Sequence, residues 1–351
     1  MPKTARLTFT ASAQQQTSID SDIKTPNDQR RKYRKKGVGQ MIGYVGKRLL
    51  HTVGIMLAVS FITFLLAYLS PGDAAMKKLN AQGVAVSQEV LENTRKNLGI
   101  DRPFLAQYVD WAGHALRFDL GNSFKDGFPV AGKLIKGLKN TAILTVSGIL
   151  LSLLISLPLA VVCAVRKDSW LDHLIRLLSF ICNSLPNFLI SVLLIYFLCV
   201  KAKLLPVVAD KSLHGLILPC TALSIPICSR FVRQFRAEIL DQLGKPYVTG
   251  AKARGVRPGY ILWNVLHNAS ISILTIVGLS VGTLFGGSVV IETIFRWPGL
   301  GKLAMDAITN RDYPVIQGFV LFTSFLYVFI NLITDISYHW IDPRLREGQG
   351  A

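Results

Sequence analysis

The chain has 351 residues, half of them hydrophobic and 17% charged, with a formal net charge of +18 and a mean hydropathy of +0.39. Its apolar residues come in long blocks divided by charged loops, an arrangement that a bilayer requires and a soluble core of this size does not. The composition excludes a disordered body, and the five scattered cysteines (Cys163, Cys182, Cys199, Cys220, Cys228), with no CxxC pair, exclude a disulfide-stapled module.

The basic excess is local. Residues 1–48 carry a net +8 and residues 230–268 a net +5, and no basic domain interleaved with aromatics appears. Lys and Arg gather in this way at the cytoplasmic ends of membrane helices, so nucleic acid is not an expected partner.

Residues 1–40 read as a disordered basic cytoplasmic tail, closed by the run Arg30 to Lys36. Met41 stands just before the first apolar block and is an equally good start of translation. The leading segment is no signal peptide, because its apolar part begins late, runs long and lacks a small-residue cleavage site.

Six spans are predicted, near Leu49–Leu69, Asn140–Val165, Leu174–Val200, Leu213–Phe231, Ser270–Ile291 and Ile316–Trp340. Each approaches the roughly 20 residues that cross hydrocarbon at 1.5 Å per residue. The third contains Asn183 and Pro186, which fit either a bend toward a cavity or a tolerated packing kink. The fourth carries Pro219 and Pro226, which a span tolerates where it faces protein or a cavity. With six spans, one set of loops sums to +14 and the other to +5, so the positive-inside rule places both termini in the cytoplasm. The expected fold is therefore an all-α membrane protein. Its domain covers residues 41–345, with an outer loop at 71–139, a cytoplasmic loop at 232–268 and a short tail at 346–351.

In the outer loop, Val90 to Leu98 reads as an amphipathic helix. Phe104, Leu105, Tyr108, Trp111, Leu116 and Phe118 recur at helix-like spacing before Gly121. A vestibule wall and plain packing explain this stripe equally well. Gly127 to Lys133 has the GxxxxGK spacing of a phosphate loop, but Leu134 lacks the hydroxyl for magnesium, Pro129 interrupts the loop and no strand precedes it. The match is read as chance.

No HExxH, Gly-x-Ser-x-Gly, paired carboxylates or Cys/His pair occurs, and the six histidines are dispersed. Neither catalytic residues nor a metal site is expected.

The informative segment is Arg230 to Tyr260. Its first part extends span four as an amphipathic helix, and Pro246 suits the first position of a second, short helix. That helix carries Gly250, Ala251 and Ala253 with basic residues between them, and ends near Gly255. Small residues admit a partner's backbone while the cations hold the anionic leaflet, so a docking element and a purely interfacial helix are both open.

The stretch Tyr247-Val-Thr249-Gly250-Ala251-Lys252-Ala253-Arg254-Gly255 resembles the cytoplasmic coupling loop of the binding-protein-dependent ATP-driven (ABC) permeases, in their peptide/nickel branch. The generic motif's opening Glu-Ala is absent and its Ile-x-Leu-Pro end is degenerate. Further short motifs resemble the branch in order: Tyr44 to Leu50, Pro71-Gly72-Asp73, Leu98 to Phe104, Phe118 to Phe124, Ser184 to Phe188, Ile291 to Gly301, Asn310 to Val315, and Asp335 with Asp342-Pro343-Arg344.

The resemblance implies a transport subunit of the cell inner membrane. It implies pairing with a second permease, two cytoplasmic ATPase subunits and an extracytoplasmic substrate-binding protein, with ATP and magnesium held by the partners and no cofactor on this chain. Residues 247–255 would then carry the coupling. Asp335, an acid within span six, is expected to be paired rather than to touch cargo. Glu292, Trp297, Pro298, Gly299 and Gly301 are expected to form an outer turn into a short helix, capping the mouth rather than docking the binding protein, because Trp297 suits an interface belt. Val86 to Gly99 and Asn268 to Ser270 resemble nickel members somewhat more than peptide members. Nickel or a metal chelate is the expected cargo, with di- or oligopeptides as the alternative. An ion-coupled secondary transporter and a membrane-embedded enzyme are the rivals from other classes; the sequence has neither the internal repeat nor the polar cluster they need.

Overall fold

The computed structural model describes residues 53–70, 72–81, 87–206 and 213–341. The tails at 1–40 and 346–351, Met41 and the Tyr44 segment, Pro71 and Asp342 to Arg344 lie outside the described residues. The same is true of the side chain of Asp335.

Helices make up almost all of the described chain, with one isolated antiparallel bridge, Asn122 to Pro129, and no strand among the described residues. Helix α1 is Val53–Leu69. Between α1 and the next long helix the 71–139 loop folds into α2 (Ala74–Ala81), α3 (Gln88–Leu98) and α4 (Phe104–Ala115). Then follow α5 (Val130–Val165), α6 (Trp170–Ser184), α7 (Asn187–Leu194, continued by a π-helical turn Ile195–Lys201), α8 (Leu213–Leu243) and α9 (Pro246–Ala253). The chain closes with α10 (Pro258–Ile294), α11 (Leu300–Asn310) and α12 (Tyr313–Ile341).

Four of these helices, α5, α8, α10 and α12, hold stretches long and apolar enough to cross a membrane, and the bent pair α6–α7 makes a fifth. Helix α1, 17 residues where described, is the remaining apolar segment. The helices overrun the apolar runs. Helix α5 begins ten residues before the predicted Asn140, and α8 continues twelve residues beyond Phe231, because backbone hydrogen bonding does not stop where hydropathy does.

The α5–α8 pairing is the most extensive. Its cause is a row of small residues at every fourth position of α5, Gly148, Ser152, Ser156, Ala160 and Ala164, all buried. Such a row is a ridge that lets the opposing backbone come close, as membrane helices require in the absence of a hydrophobic drive. A Cβ on Gly148 would stand 2.9 Å from Leu223 of α8. The contact is also polar: Ser152 Oγ donates to the Ser224 carbonyl (3.2 Å), and Ser224 Oγ lies 3.1 Å from the Gly148 carbonyl. Leu144, Leu223, Phe231, Phe235, Ile239, Val265 and Ile291 fill the core around it. Pro219 and Pro226 leave α8 unbroken.

Between α6 and α7 the backbone breaks sharply. Leu185, held in the extended region (φ −78°, ψ 130°) by the following proline, ends α6, and α7 leaves at 103° to it. Helix α4 packs by aromatics: Phe104, Tyr108 and Trp111 meet Phe61 and Phe64 of α1 at ring-centroid distances of 5.2 to 6.1 Å. Half the predicted stripe is not part of this contact, since Leu105, Leu116 and Phe118 (92% exposed) point away from it. Beneath α3 and α4 a cleft of about 650 Å³ opens between Tyr68, Asp73, Arg95, Trp111, Tyr313 and Gln317.

Candidate functional site

At the far end of α8 the chain turns through Gly244 and Lys245 into α9, with Pro246 at the first helical position. Helix α9 has two faces. Val248 is buried in the main core, with Ala251 and Val256 packed against it. Tyr247, Thr249, Lys252, Ala253 and Arg254 are exposed, and Gly250 is half-buried. The helix is stopped by a Schellman motif: Gly255 (φ +72°) donates to the Lys252 carbonyl, and Val256 to the Ala251 carbonyl. Gly255 is thus a stop signal, flanked by Ala251 and Val256, which both pack against the main core. The result is a short helix anchored by one side, with a basic surface of small residues left uncovered. Of the eight residues singled out in the sequence, Tyr247, Thr249, Lys252, Ala253, Arg254 and Gly255 are exposed, Gly250 is half-buried and Ala251 packs on the core side.

The element that steadies this region was not legible as a site. Asp172, in the first turn of α6, has no exposed surface and accepts two hydrogen bonds from one guanidinium, Arg236 Nε at 2.7 Å and Nη2 at 2.6 Å. Arg176 approaches at 3.5 Å, and the Asp168 N–H donates to the same carboxylate. A bidentate, buried pair of this kind ties the α5–α6 turn to the extension of α8 that carries α9. In the sequence Asp172 is one more charge in a loop. The available signal was Ser169 three residues before it, a capping pattern that here forms, with the Asp172 N–H on Ser169 Oγ.

The second cluster lies at the opposite end. Glu292 is fully buried near the end of α10 and accepts from Thr141 Oγ1 (2.6 Å), Ser288 Oγ (3.2 Å) and the N–H groups of Gly301 (2.6 Å) and Lys302 (3.2 Å). A carboxylate on the first N–H groups of α11 satisfies donors that a helix start leaves open. The glycines explain themselves: a Cβ on Gly299 would lie 2.4 Å from that carboxylate, and one on Gly301 2.5 Å from the Val289 Cα. The predicted turn into a short helix is therefore present, but the reason given for Trp297 is corrected. Trp297 is 4% exposed, not an interface residue, and its Nε1 donates to the Asn140 carbonyl while Asn140 Nδ2 donates to the Pro298 carbonyl.

Motifs of the 71–139 loop and of the segment after α11 converge. Asp312 accepts from Ser123 Oγ and the Phe124 N–H, Arg311 Nη1 donates to Ser70 Oγ, and the Arg311 guanidinium fills the space a side chain at Gly72 would need. Asp73 pairs with Arg95 at 2.7 Å. Lys133, the lysine of the GxxxxGK spacing, binds Asp126 and Ser123, and helical α5 begins at Val130, so the segment is no phosphate cradle. Asn183 and Pro186 are both exposed at the α6–α7 break, and it is Asn187 that lines the small cavity beside it.

Among the described residues no group of three or more His, Cys, Asp or Glu is placed to hold a metal ion. The clusters around Asp172 and Glu292 bind helices to one another.

Residues 156–347 match the family described as binding-protein-dependent transport system inner membrane component, and residues 41–145 match its N-terminal companion. A probable peptide ABC transporter permease of Sinorhizobium fredii is 38% identical over 313 residues, covering 86% of this chain and 99% of its own. A metal-staphylopine import system permease of Staphylococcus aureus is 35% identical (88% and 99% covered), and a nickel import system permease of the same species is 37% identical (85% and 90% covered). Among solved structures, an inward-facing methionine ABC transporter aligns with a TM-score of 0.51 at 18% identity, over 60% of this chain and 96% of that one, which is a likeness of fold.

Proposed function

Because this chain belongs to the inner membrane components of binding-protein-dependent transport systems, a multi-pass permease subunit of an ABC importer, we propose that it forms half of a translocation pathway and receives its driving force through α9. On this reading the chain crosses the membrane six times, with α1 as the first span and both termini in the cytoplasm. It pairs with a second permease, and its α9 rests in a groove on one of two ATPase subunits, which hold ATP and magnesium. An extracytoplasmic binding protein delivers cargo to the end formed by α3, α4 and α11. Closure of the ATPases displaces α9, and α8 carries the displacement into the membrane.

The observation that supports this most directly is the two-sided character of α9, sealed to the core by Val248 and bare on its small, basic face. Asp172 and Arg236 stiffen the joint through which force would pass. Membership of this family favours the ATP-driven importer over the ion-coupled secondary transporter and the membrane enzyme.

The cargo we propose is nickel or a metal chelate, in line with the relatives named for nickel and metal-staphylopine import. Di- or oligopeptide import is the second reading, favoured by the relative named for peptide. The deciding experiment is purification of the chain from its host with its partners. An ATPase should copurify, and Gly250→Trp, which fills the bare face, should abolish copurification and ATP-dependent uptake while leaving the chain in the membrane. Full uptake in that variant refutes the coupling role.

A further inference from the structure

The cleft beneath α3 and α4, about 650 Å³, is walled by the end of α1, by α3, by α4, by residues 119–124 and by the start of α12. Its volume is equivalent to roughly twenty waters at about 30 Å³ each, a size that suits a small molecule. Part of the wall is held in place by the chain itself. Asp312 accepts from the Ser123 hydroxyl and the Phe124 N–H, and the Phe124 and Tyr313 rings meet edge to face at 6.4 Å. Phe64, Tyr68 and Trp111 add further aromatic surface.

Two polar groups on this wall are left open. Gln107 uses its amide on the Ile100 and Arg102 carbonyls, at 3.3 and 2.6 Å. Gln317, one turn into α12 and only 7% exposed, has no side-chain hydrogen bond among the described residues. The Trp111 indole Nε1 is out of contact with solvent and likewise has no acceptor among them. Buried donors and acceptors are nearly always paired, so two such groups on one cleft point to a ligand that pairs with them.

Charge sets the class of that ligand. Arg95, Lys96 and Arg102 line the cleft together with Asp73, Asp110 and Asp119, so its lining has no net sign. Such a field offers little to a bare cation or a bare anion and suits a molecule that carries both charges. No group of three metal-ligating side chains stands there among the described residues. An amide and an indole N–H meet carbonyl and amine groups, while the rings meet aliphatic stems.

We propose that this cleft binds an amino-acid-derived zwitterion, with the Gln317 amide and Trp111 Nε1 as its hydrogen-bonding groups. The inference rests on the importer reading above and deepens it: the permease itself holds cargo at the entrance, as a short peptide or as an amino-acid chelate of a metal, and does not hold a bare divalent ion there. Peptide and chelate share this chemistry, and the experiment separates them.

The test uses the permease with its partner subunits in nanodiscs, without the binding protein. Calorimetric titration compares trialanine, the nickel–histidine complex and nickel alone. Wild type should bind trialanine or the nickel–histidine complex saturably, and nickel alone should not compete. Trp111→Phe keeps an aromatic ring and removes the N–H, and Gln317→Leu removes the amide at similar size. Each should raise the dissociation constant about fivefold, the scale of one neutral hydrogen bond, with the unfolding midpoint unchanged. A response confined to one of the two probes names the source. The proposal is overturned if neither probe saturates wild type, if affinity is indifferent to both substitutions, if it falls only together with the unfolding midpoint, or if nickel alone competes. Weaker association of the binding protein in both variants, with neither small probe bound, gives the cleft to a protein segment and overturns it equally. Failure of any ATPase to copurify overturns the importer reading instead and leaves the titration standing.

Discussion

Asp172 keeps its charge without any contact with solvent because a single arginine satisfies both of its oxygens. Breaking such a pair from one side leaves a buried ion behind. Asp172→Asn or Arg236→Gln should therefore cost about 3–5 kcal/mol, read as a lower unfolding midpoint in detergent, while an apolar replacement of both partners should cost less than either. Gly299→Ala should cost about 1–3 kcal/mol by the same measurement, since the methyl group would displace the Glu292 carboxylate from the start of α11. Asp126 gives a pH dependence. Burial raises its pKa, but the Lys133 ammonium and the Phe128 and Ser123 donors outweigh that and hold it below its ordinary 3.8. A carboxyl lowered on folding contributes stability above its unfolded value and loses it as pH falls through the lower folded one. Proteolysis of the 121–129 loop should accordingly rise only below about pH 4, and Asp126→Asn should show the faster cleavage already at neutral pH. The effect is small, because the pair is partly exposed.

The helices themselves were largely legible, and the reasons for their exceptions are physical. Apolar runs announced the long helices, four of them apolar enough to cross a membrane and a fifth as the bent α6–α7 pair, and Pro246 and Gly255 marked the two ends of α9. The lengths of α5 and α8 were not announced, because Lys133, Lys136 and Lys139 of α5 and the arginines of α8 look like loop charges to a hydropathy scale. Pro186 gave the position of the break in span three, but the 103° angle comes from packing against α8 and α10. Trp297 misled because a tryptophan with a membrane-like neighbourhood is as suited to a core that supplies a carbonyl, here that of Asn140. The small-residue ridge of α5 is indistinguishable in hydropathy from the apolar sequence around it. Its expected signature is that Ala160→Leu, which overfills the α5–α8 seam, destabilises by about 1–3 kcal/mol, whereas Leu154→Ala on the exposed face changes the midpoint little. Gly255→Ala should cost about 1 kcal/mol through the left-handed cap alone.

For the molecule as a whole, the topology is open to direct test. In a cysteine-free background, a cysteine at Lys252 should react with an impermeant thiol reagent only from the cytosolic side, and one at Phe118 only from the other. Labelling of Lys252→Cys from outside refutes both the orientation and the coupling role. Helix α8 has a consequence that extends beyond either site. Arg230, Arg236 and the turn at Gly244 are stations on one unbroken shaft, successively about 9 and 12 Å apart. Because Arg236 is clamped and Ser224 is stitched to α5, torque applied at the Gly244 end cannot be absorbed by local bending and must turn the shaft together with its neighbour. Angular phase along α8 then becomes a controlled quantity: one residue inserted between Arg236 and Gly244 would rotate α9 by about 100° relative to Arg230, leaving both ends intact and out of step.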